Sequence, residues 1–228
     1  MTVLCVGCSW TFGKGVETHE TYPAHLQNYI DIPVINAGFP GTDVNHAVWT
    51  AYKLIDEYKP KIIVLQLSTF DRMTLCYNNG VNNFLDNKHY SDIDPYIYDN
   101  GEDQTYKIVY SVSAEYRYDL ITQASFLEHK NDAVTFLYKN VVFSDYRTLQ
   151  VISYVDMFKA YAKSKGCEVV VFPWCTIPEI TYSLLDTTTP VIEVFGTEYV
   201  IDNGYHFSSN GNKRTAEEYV YPLIKDYV

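Results

Sequence analysis

The strongest constraint on the fold is an uninterrupted apolar run, Ile62-Ile63-Val64-Leu65, inside a strand predicted over residues 61–67. A strand that is apolar on both faces is typical of a parallel sheet covered by helices on both sides. Similar short apolar runs predict further strands over 2–8, 32–36 and 167–172, with 190–195 as a candidate fifth.

Amphipathic helices lie between these strands. Helical spacing of apolar residues predicts helices over 21–30, 43–58, 147–165 and 209–227. Strands that alternate with helices along a chain build a parallel sheet with a helical layer on each face. The sequence therefore predicts an α/β protein with three layers, and 228 residues suffice for one large domain with its own core.

The alternation stops over residues 73–147. This stretch holds the turn-forming pairs Asn79-Gly80, Asp94-Pro95 and Asn100-Gly101, and it is rich in tyrosine. The whole chain has 22 tyrosines. We interpret 73–147 as an insertion after the third strand of a single domain spanning 1–228, with some helix around 113–129. Long loops are often functional, so the insertion is expected to form a lid or a binding subdomain, although tyrosines that merely fill a half-buried segment are an equal alternative.

Charge and cysteine content exclude several classes of protein. A net charge of −11 disfavours binding to nucleic acid or to an anionic membrane surface. No apolar stretch has the length of a membrane span, and the N-terminus lacks the basic region of a signal peptide. Five scattered cysteines do not indicate a disulfide framework, and Cys5 and Cys8 would point to opposite faces of a strand. We expect a cytoplasmic protein with no cofactor and no metal site.

Residues with reactive or polar side chains follow the predicted strands. The carboxyl ends of parallel strands meet at one edge of a sheet, where sites collect. Ser9 follows the first strand and His206 precedes the last helix. The remaining candidates at this edge are Asn36 and Gly38 after the second strand, and Thr69, Asp71 and Arg72 after the third. All of these except Gly38 are candidates for binding a substrate.

The order of these motifs resembles the SGNH (or GDSL) hydrolases. Gly7-Cys8-Ser9 is similar to the family's nucleophile turn, and the segment 36–41, Asn-Ala-Gly-Phe-Pro-Gly, is similar to its second motif. The stretch that ends at His206 is similar to the last motif, Asp-x-x-His. The resemblance covers 1–72 and 148–228 but not the insertion. It implies a flavodoxin-like fold with a five-stranded parallel sheet, and hydrolysis of esters such as acetyl groups on sugars.

Roles for individual residues follow from the same resemblance. Ser9 would be the nucleophile and His206 its base, with the backbone N–H groups of Ser9 and Gly38 lining the oxyanion hole. The family spacing places Asn203 where the orienting acid belongs, while Asp202 lies one residue earlier and is the favoured acid. Phe70 occupies the place of an asparagine that donates to the oxyanion, and Thr69 or Arg72 are the alternative donors.

Two other functions stay open. The fold can be retained while catalysis is weakened, in which case the chain is a glycan- or protein-binding module that uses its insertion. A flavodoxin-like nucleotide binder is a third and weaker interpretation. Small phage-encoded members of the family are similar in their altered motifs and missing signal peptide, which makes association with a virion an alternative location. The expected partner is a small-molecule or glycan ester substrate, and the oligomeric state is unknown.

Overall fold

The computed structural model describes residues 1–40, 42–68, 70, 73–78, 106–112, 145–177, 179–201 and 206–228. In chain order, its strands are β1 (Val3–Gly7), β2 (Val34–Gly38), β3 (Ile62–Leu67), β4 (Met73–Asn78), β5 (Tyr106–Val112), β6 (Glu168–Pro173), β7 (Val200–Ile201) and β8 (His206–Phe207). Its α-helices are α1 (Ser9–Phe12), α2 (Tyr22–Leu26), α3 (Val44–Tyr58), α4 (Asp145–Ser164), α5 (Val191–Phe195), α6 (Ser209–Arg214) and α7 (Tyr221–Ile224). A π-helical stretch, Thr215–Val220, joins α6 to α7.

The central sheet is parallel and has the order β2-β1-β3-β6. Val6 of β1 pairs with Ala37 of β2 on one side and with Leu65 of β3 on the other, so the carboxyl ends of the three strands lie level. All residues of β1 and β3 are buried, as expected of strands covered on both faces. The predicted three-layer α/β/α architecture is confirmed.

The candidate fifth strand is wrong. Residues 191–195 form helix α5, which begins after Pro190 and buries Val191 and Phe195, four positions apart. A short apolar run with a hydrophobic residue at each end fits one helical turn as well as a strand, so its composition could not decide between them. The central sheet has four strands in the described part of the chain. The second strand also begins two residues later than predicted, at Val34.

The two faces of the sheet carry different cores. Helices α3 and α4 cover one face with mostly aliphatic side chains, among them Val44, Ala51, Val151 and Val155. Helices α2 and α5 and the C-terminal helical segment 209–224 cover the other face. Its core is rich in aromatic rings: Tyr22, Phe172, Trp174, Phe195, Phe207 and Tyr219. We call these the aliphatic face and the aromatic face.

Strands β4 and β5 lie within the predicted insertion and pair antiparallel as a separate two-stranded sheet. The predicted helix around 113–129 and most of the tyrosine-rich stretch lie outside the described residues. The division of the chain into one domain with an insertion stays a prediction. None of the described helices combines the length and the apolarity that a bilayer crossing requires.

Candidate active site

The two residues predicted to do the chemistry lie together. His206 Nε2 is 2.9 Å from Ser9 Oγ, although 197 positions separate the two residues in the sequence. This is hydrogen-bond distance, the first requirement for a histidine to take a proton from a serine. Ser9 is buried, with 6% of its surface exposed, so little water competes for its hydroxyl.

Ser9 lies at a sharp turn between strand β1 and helix α1. Strand β1 ends at Gly7, Cys8 has an extended conformation, and Ser9 begins the single turn of α1. The first N–H groups of a helix have no acceptor within it, so the Ser9 N–H is free of the α1 hydrogen-bond pattern. Gly7 is required at the turn because a Cβ there would lie 2.3 Å from Thr11 Oγ1 and 2.5 Å from Gln66 Oε1.

Gln66 of β3 holds this turn, and sequence reasoning missed it. Its buried Oε1 accepts hydrogen bonds from Cys8 N–H at 3.0 Å and from Thr11 Oγ1 at 3.2 Å. The signal was present, because Gln66 is the polar exception in an otherwise apolar strand. Buried polar groups need hydrogen-bond partners, and a polar side chain next to the strand that carries Ser9 finds them in the nucleophile turn.

A cluster of aromatic rings surrounds His206. The half-buried Trp10 ring lies 5.0 Å from the imidazole and 4.0 Å from the ring of Trp174, measured between centroids. Phe207 packs edge-on against Trp10 at 5.5 Å. These rings pack around the imidazole and limit the positions it can take beside Ser9. The sequence carried this signal in Trp10 directly after Ser9 and in Trp174 directly after β6, and neither was singled out.

The loop before the last helix is fixed from two directions. His206 and Phe207 pair with Ile201 and Val200 in the β7–β8 hairpin. Asn212 of α6, which is buried, accepts a hydrogen bond from Tyr22 N–H and donates to the carbonyl of Phe207. The amide of Asn212 therefore ties the histidine-bearing strand to the start of α2.

Ionisable groups beneath Ser9 are kept neutral by burial. Desolvation raises the pKa of the Cys5 thiol to about 12, with a smaller opposing effect from its hydrogen bond to Tyr22. Desolvation likewise raises the pKa of Tyr22 well above its ordinary value. Cys5 is thus an unreactive thiol at neutral pH. In the described ranges, no three His, Cys, Asp or Glu side chains converge as a metal site would require.

The second motif has a different geometry from the one expected. Gly38 N–H donates to Asn36 Oδ1 at 3.0 Å, and Asn36 Nδ2 approaches the carbonyl of Phe12 at 3.5 Å. Because β2 is the outer strand of the sheet, this N–H points away from β1, while the next one, Phe39 N–H, donates to Gly7. A Cβ on Gly38 would lie 2.3 Å from Phe12 N, so the glycine allows α1 to pack closely. The structure therefore gives Gly38 a packing role. Its N–H could donate to an oxyanion only after its hydrogen bond to Asn36 Oδ1 breaks.

Several predicted site residues lie outside the described residues. These are Asp202 and Asn203, the two candidates for the orienting acid, and the predicted binding residues Thr69, Asp71 and Arg72. Their roles stay predictions. Phe70, predicted to stand where a donor belongs, is buried with 5% exposure in the aliphatic core, so its ring takes no part in hydrogen bonding at Ser9.

No protein-family model matches the sequence, and no curated protein does. Among solved structures, the chain is similar to TesA, with a TM-score of 0.57 and 15% identity over 100% of both chains. It is also similar to the psychrotrophic esterase EstA from Pseudoalteromonas sp., in a structure inhibited by monoethylphosphonate. That likeness has a TM-score of 0.53 and 12% identity, and covers 99% of this chain and 97% of EstA. At 12–15% identity, these likenesses show that the chain shares the fold of TesA and of EstA.

Proposed function

We propose that the chain is a serine esterase that hydrolyses carboxylic esters through an acyl-enzyme on Ser9. The observation that carries this proposal is the 2.9 Å approach of His206 Nε2 to the Ser9 hydroxyl at the carboxyl edge of the sheet. The fold shared with an esterase adds support at a coarser level.

The reaction proceeds in two balanced halves. Ser9 Oγ attacks the ester carbonyl carbon while its proton passes to His206 Nε2, and the carbonyl π electrons move to the oxygen. When this tetrahedral intermediate collapses, the alcohol leaves with the proton from His206, and the acyl group stays on Ser9. Water then repeats the sequence on the acyl-enzyme and releases the carboxylic acid. Asp202 is the favoured residue to orient the imidazole.

The proposed substrates are O-acetyl esters on carbohydrates. Trp10 supports this class, because its half-buried ring lies beside His206 and indole faces bind the apolar faces of sugars. We expect the protein to hydrolyse an acetylated oligosaccharide faster than an ester of a long-chain fatty acid. Equal or faster hydrolysis of the long-chain ester contradicts the substrate class and leaves the esterase proposal intact.

The activity itself is tested with p-nitrophenyl acetate and with a fluorophosphonate probe. Wild-type protein is expected to hydrolyse the ester and to be labelled once, at Ser9, as identified by peptide mass. Ser9→Ala removes both, whereas Ser153→Ala, which changes an exposed serine on α4, removes neither. If wild type and Ser9→Ala are equally inactive and unlabelled, the hydrolase proposal fails.

A binding module is the second candidate. Two observations favour it: Phe70 is buried away from the site, and the Gly38 N–H is bonded to Asn36. Both weaken the oxyanion hole on which acyl transfer depends. The close approach of Ser9 and His206 argues for catalysis. Glycan-array binding by a wild-type protein that shows no esterase activity and no probe labelling would decide for the module.

A further inference from the structure

Ser68 carries a buried hydroxyl that lacks a hydrogen-bond partner among the described residues. The residue follows the last position of β3 and is only 4% exposed. A buried polar group without a partner costs free energy, and proteins retain few of them. A hydroxyl with no partner in the part of the chain that the structure describes is therefore a candidate for a role toward a ligand.

The sheet places Ser68 beside the nucleophile turn. Strands β1 and β3 are neighbours in parallel register, and Val6 pairs with Leu65. Ser9 and Ser68 each come three residues after these paired positions, at the same edge of the sheet.

Strand alternation also puts Ser68 on the correct face. Side chains of Ile62 and Val64 belong to the aromatic face, and Gln66 continues this series by contacting the nucleophile turn. Ser68 is the next residue of the even series. His206 and its surrounding rings lie on the same face.

The chemistry needs a donor at this place. The carbonyl oxygen of the substrate becomes negatively charged when Ser9 attacks, and preorganised donors stabilise that charge. The side chain of Phe70 has no hydrogen to donate, and the Gly38 N–H donates to Asn36. Of the three donors that the family resemblance implies, this leaves the Ser9 N–H, and one donor is fewer than such sites generally use.

We propose that the Ser68 hydroxyl is a catalytic residue, which donates a hydrogen bond to the oxyanion formed on attack by Ser9. The inference rests on the proposed esterase function. The proton of Ser68 stays on its oxygen throughout, so the two balanced halves of the reaction are unchanged. The Ser68 hydroxyl, which has no partner among residues 1–40, 42–68 and the other described ranges, acquires an acceptor when the tetrahedral intermediate forms.

The test is Ser68→Ala, with Thr50→Val as the matched control. Thr50 Oγ1 is likewise buried without a partner among the described residues, but it lies on α3 at the aliphatic face. Neither variant removes a hydrogen bond found among the described residues, so both are expected to melt within about 3 °C of wild type or above it. Ser68→Ala is expected to lower kcat for p-nitrophenyl acetate by about 10²–10³-fold with little change in KM, and to slow fluorophosphonate labelling similarly. Thr50→Val leaves both rates unchanged.

Each alternative outcome is decisive. Wild-type kcat in Ser68→Ala, together with an inactive Ser9→Ala, overturns the role of Ser68 and leaves the esterase proposal standing. A lower kcat accompanied by a melting temperature that falls by more than about 5 °C assigns the hydroxyl to structure and also overturns it. An equal loss of kcat in Thr50→Val does the same, because the effect would not be specific to the site. Wild-type protein that is inactive and unlabelled overturns both proposals together.

Discussion

The aliphatic and aromatic faces of the sheet bury their polar groups in different ways. At the aliphatic face, Asp43 caps α3 by accepting from His46 N–H and pairs with Arg147 at 2.6 Å. The side chains of Asp43 and Arg147 are 2% and 5% exposed. At the aromatic face, Ser9 and His206 meet at the sheet edge beside the half-buried Trp10.

This difference separates groups that hold the fold from groups available for chemistry. Asp43 and Arg147 join the amino ends of two long helices, and breaking such a pair leaves a charge buried. Ser9 and His206 lie on short elements at the rim, where loss of their contact exposes little core. We expect changes on the aliphatic face to lower stability and changes at the rim of the aromatic face to lower activity.

The largest expected effect is that of His206→Ala. Without its base, Ser9 keeps its proton, and kcat/KM for p-nitrophenyl acetate should fall by about 10⁴-fold or more. The melting temperature should stay within a few degrees of wild type, because His206 is only part-buried. Steady-state kinetics measures the loss of kcat/KM, and a thermal melt measures the melting temperature. Activity above about a tenth of wild type would show that another group deprotonates Ser9.

Arg147→Met tests the opposite face. Removing one partner of a buried ion pair is expected to lower the free energy of unfolding by about 3–5 kcal/mol, measured by urea denaturation. Esterase activity per folded molecule should not change, since α4 packs on the aliphatic face, opposite the one on which Ser9 and His206 meet.

The control for that variant is Lys165→Met. Lys165 pairs with Asp56 at 2.7 Å, but both side chains are exposed, so stability should not measurably change. Equal destabilisation by the two substitutions would contradict a special role for the buried pair.

Acid should lower the free energy of unfolding through His46, which is buried on α3 at the aliphatic face. Burial lowers the pKa of His46 to about 3, whereas the unfolded chain has an ordinary histidine pKa near 6.5. Above pH ~6.5 neither state binds the proton. As pH falls below that value only the unfolded state takes it up, so stability is lost down to about pH 3.

Between pH 6.5 and 4.5, this one group is expected to lower the free energy of unfolding by about 2–3 kcal/mol. Comparing wild type with His46→Phe at both pH values isolates the contribution, because the other titrating groups cancel in the difference. His46 packs against the rings of Phe39 and Trp49, so a phenylalanine at this position keeps an aromatic ring among them but cannot bind a proton. An identical pH dependence in the two proteins would show that His46 is not the titrating group.

The smallest expected effect is that of Gln66→Leu. Gln66 both stabilises the fold and positions the turn that carries Ser9. The substitution leaves the buried Cys8 N–H without its acceptor and should cost about 1–2 kcal/mol of stability. It also loosens the turn that holds Ser9, so kcat should fall about tenfold while KM changes little. A loss of stability with full kcat would place Gln66 among the groups that only hold the fold.

Much of the fold was accessible from sequence pattern. The apolar run at 62–65 predicted the central strand, and helical spacing over 43–58 predicted α3 nearly to its ends. The strand predicted over 190–195 is wrong because the five residues Val191–Phe195 fit one helical turn as well as a strand. For the site, motif order predicted Ser9 and His206, and the structure brings them together.

The sequence by itself determined which residues form the buried strands and which reactive residues follow them, because these are properties of local spacing and composition. Only the tertiary structure decided which polar groups find partners. In it the Gly38 N–H donates to Asn36 and Gln66 accepts from the nucleophile turn, while the hydroxyl of Ser68 has no partner in the described part of the chain. The physical reason is that hydrogen bonds across the sheet edge depend on register and distance between segments far apart in the chain, and local pattern specifies neither.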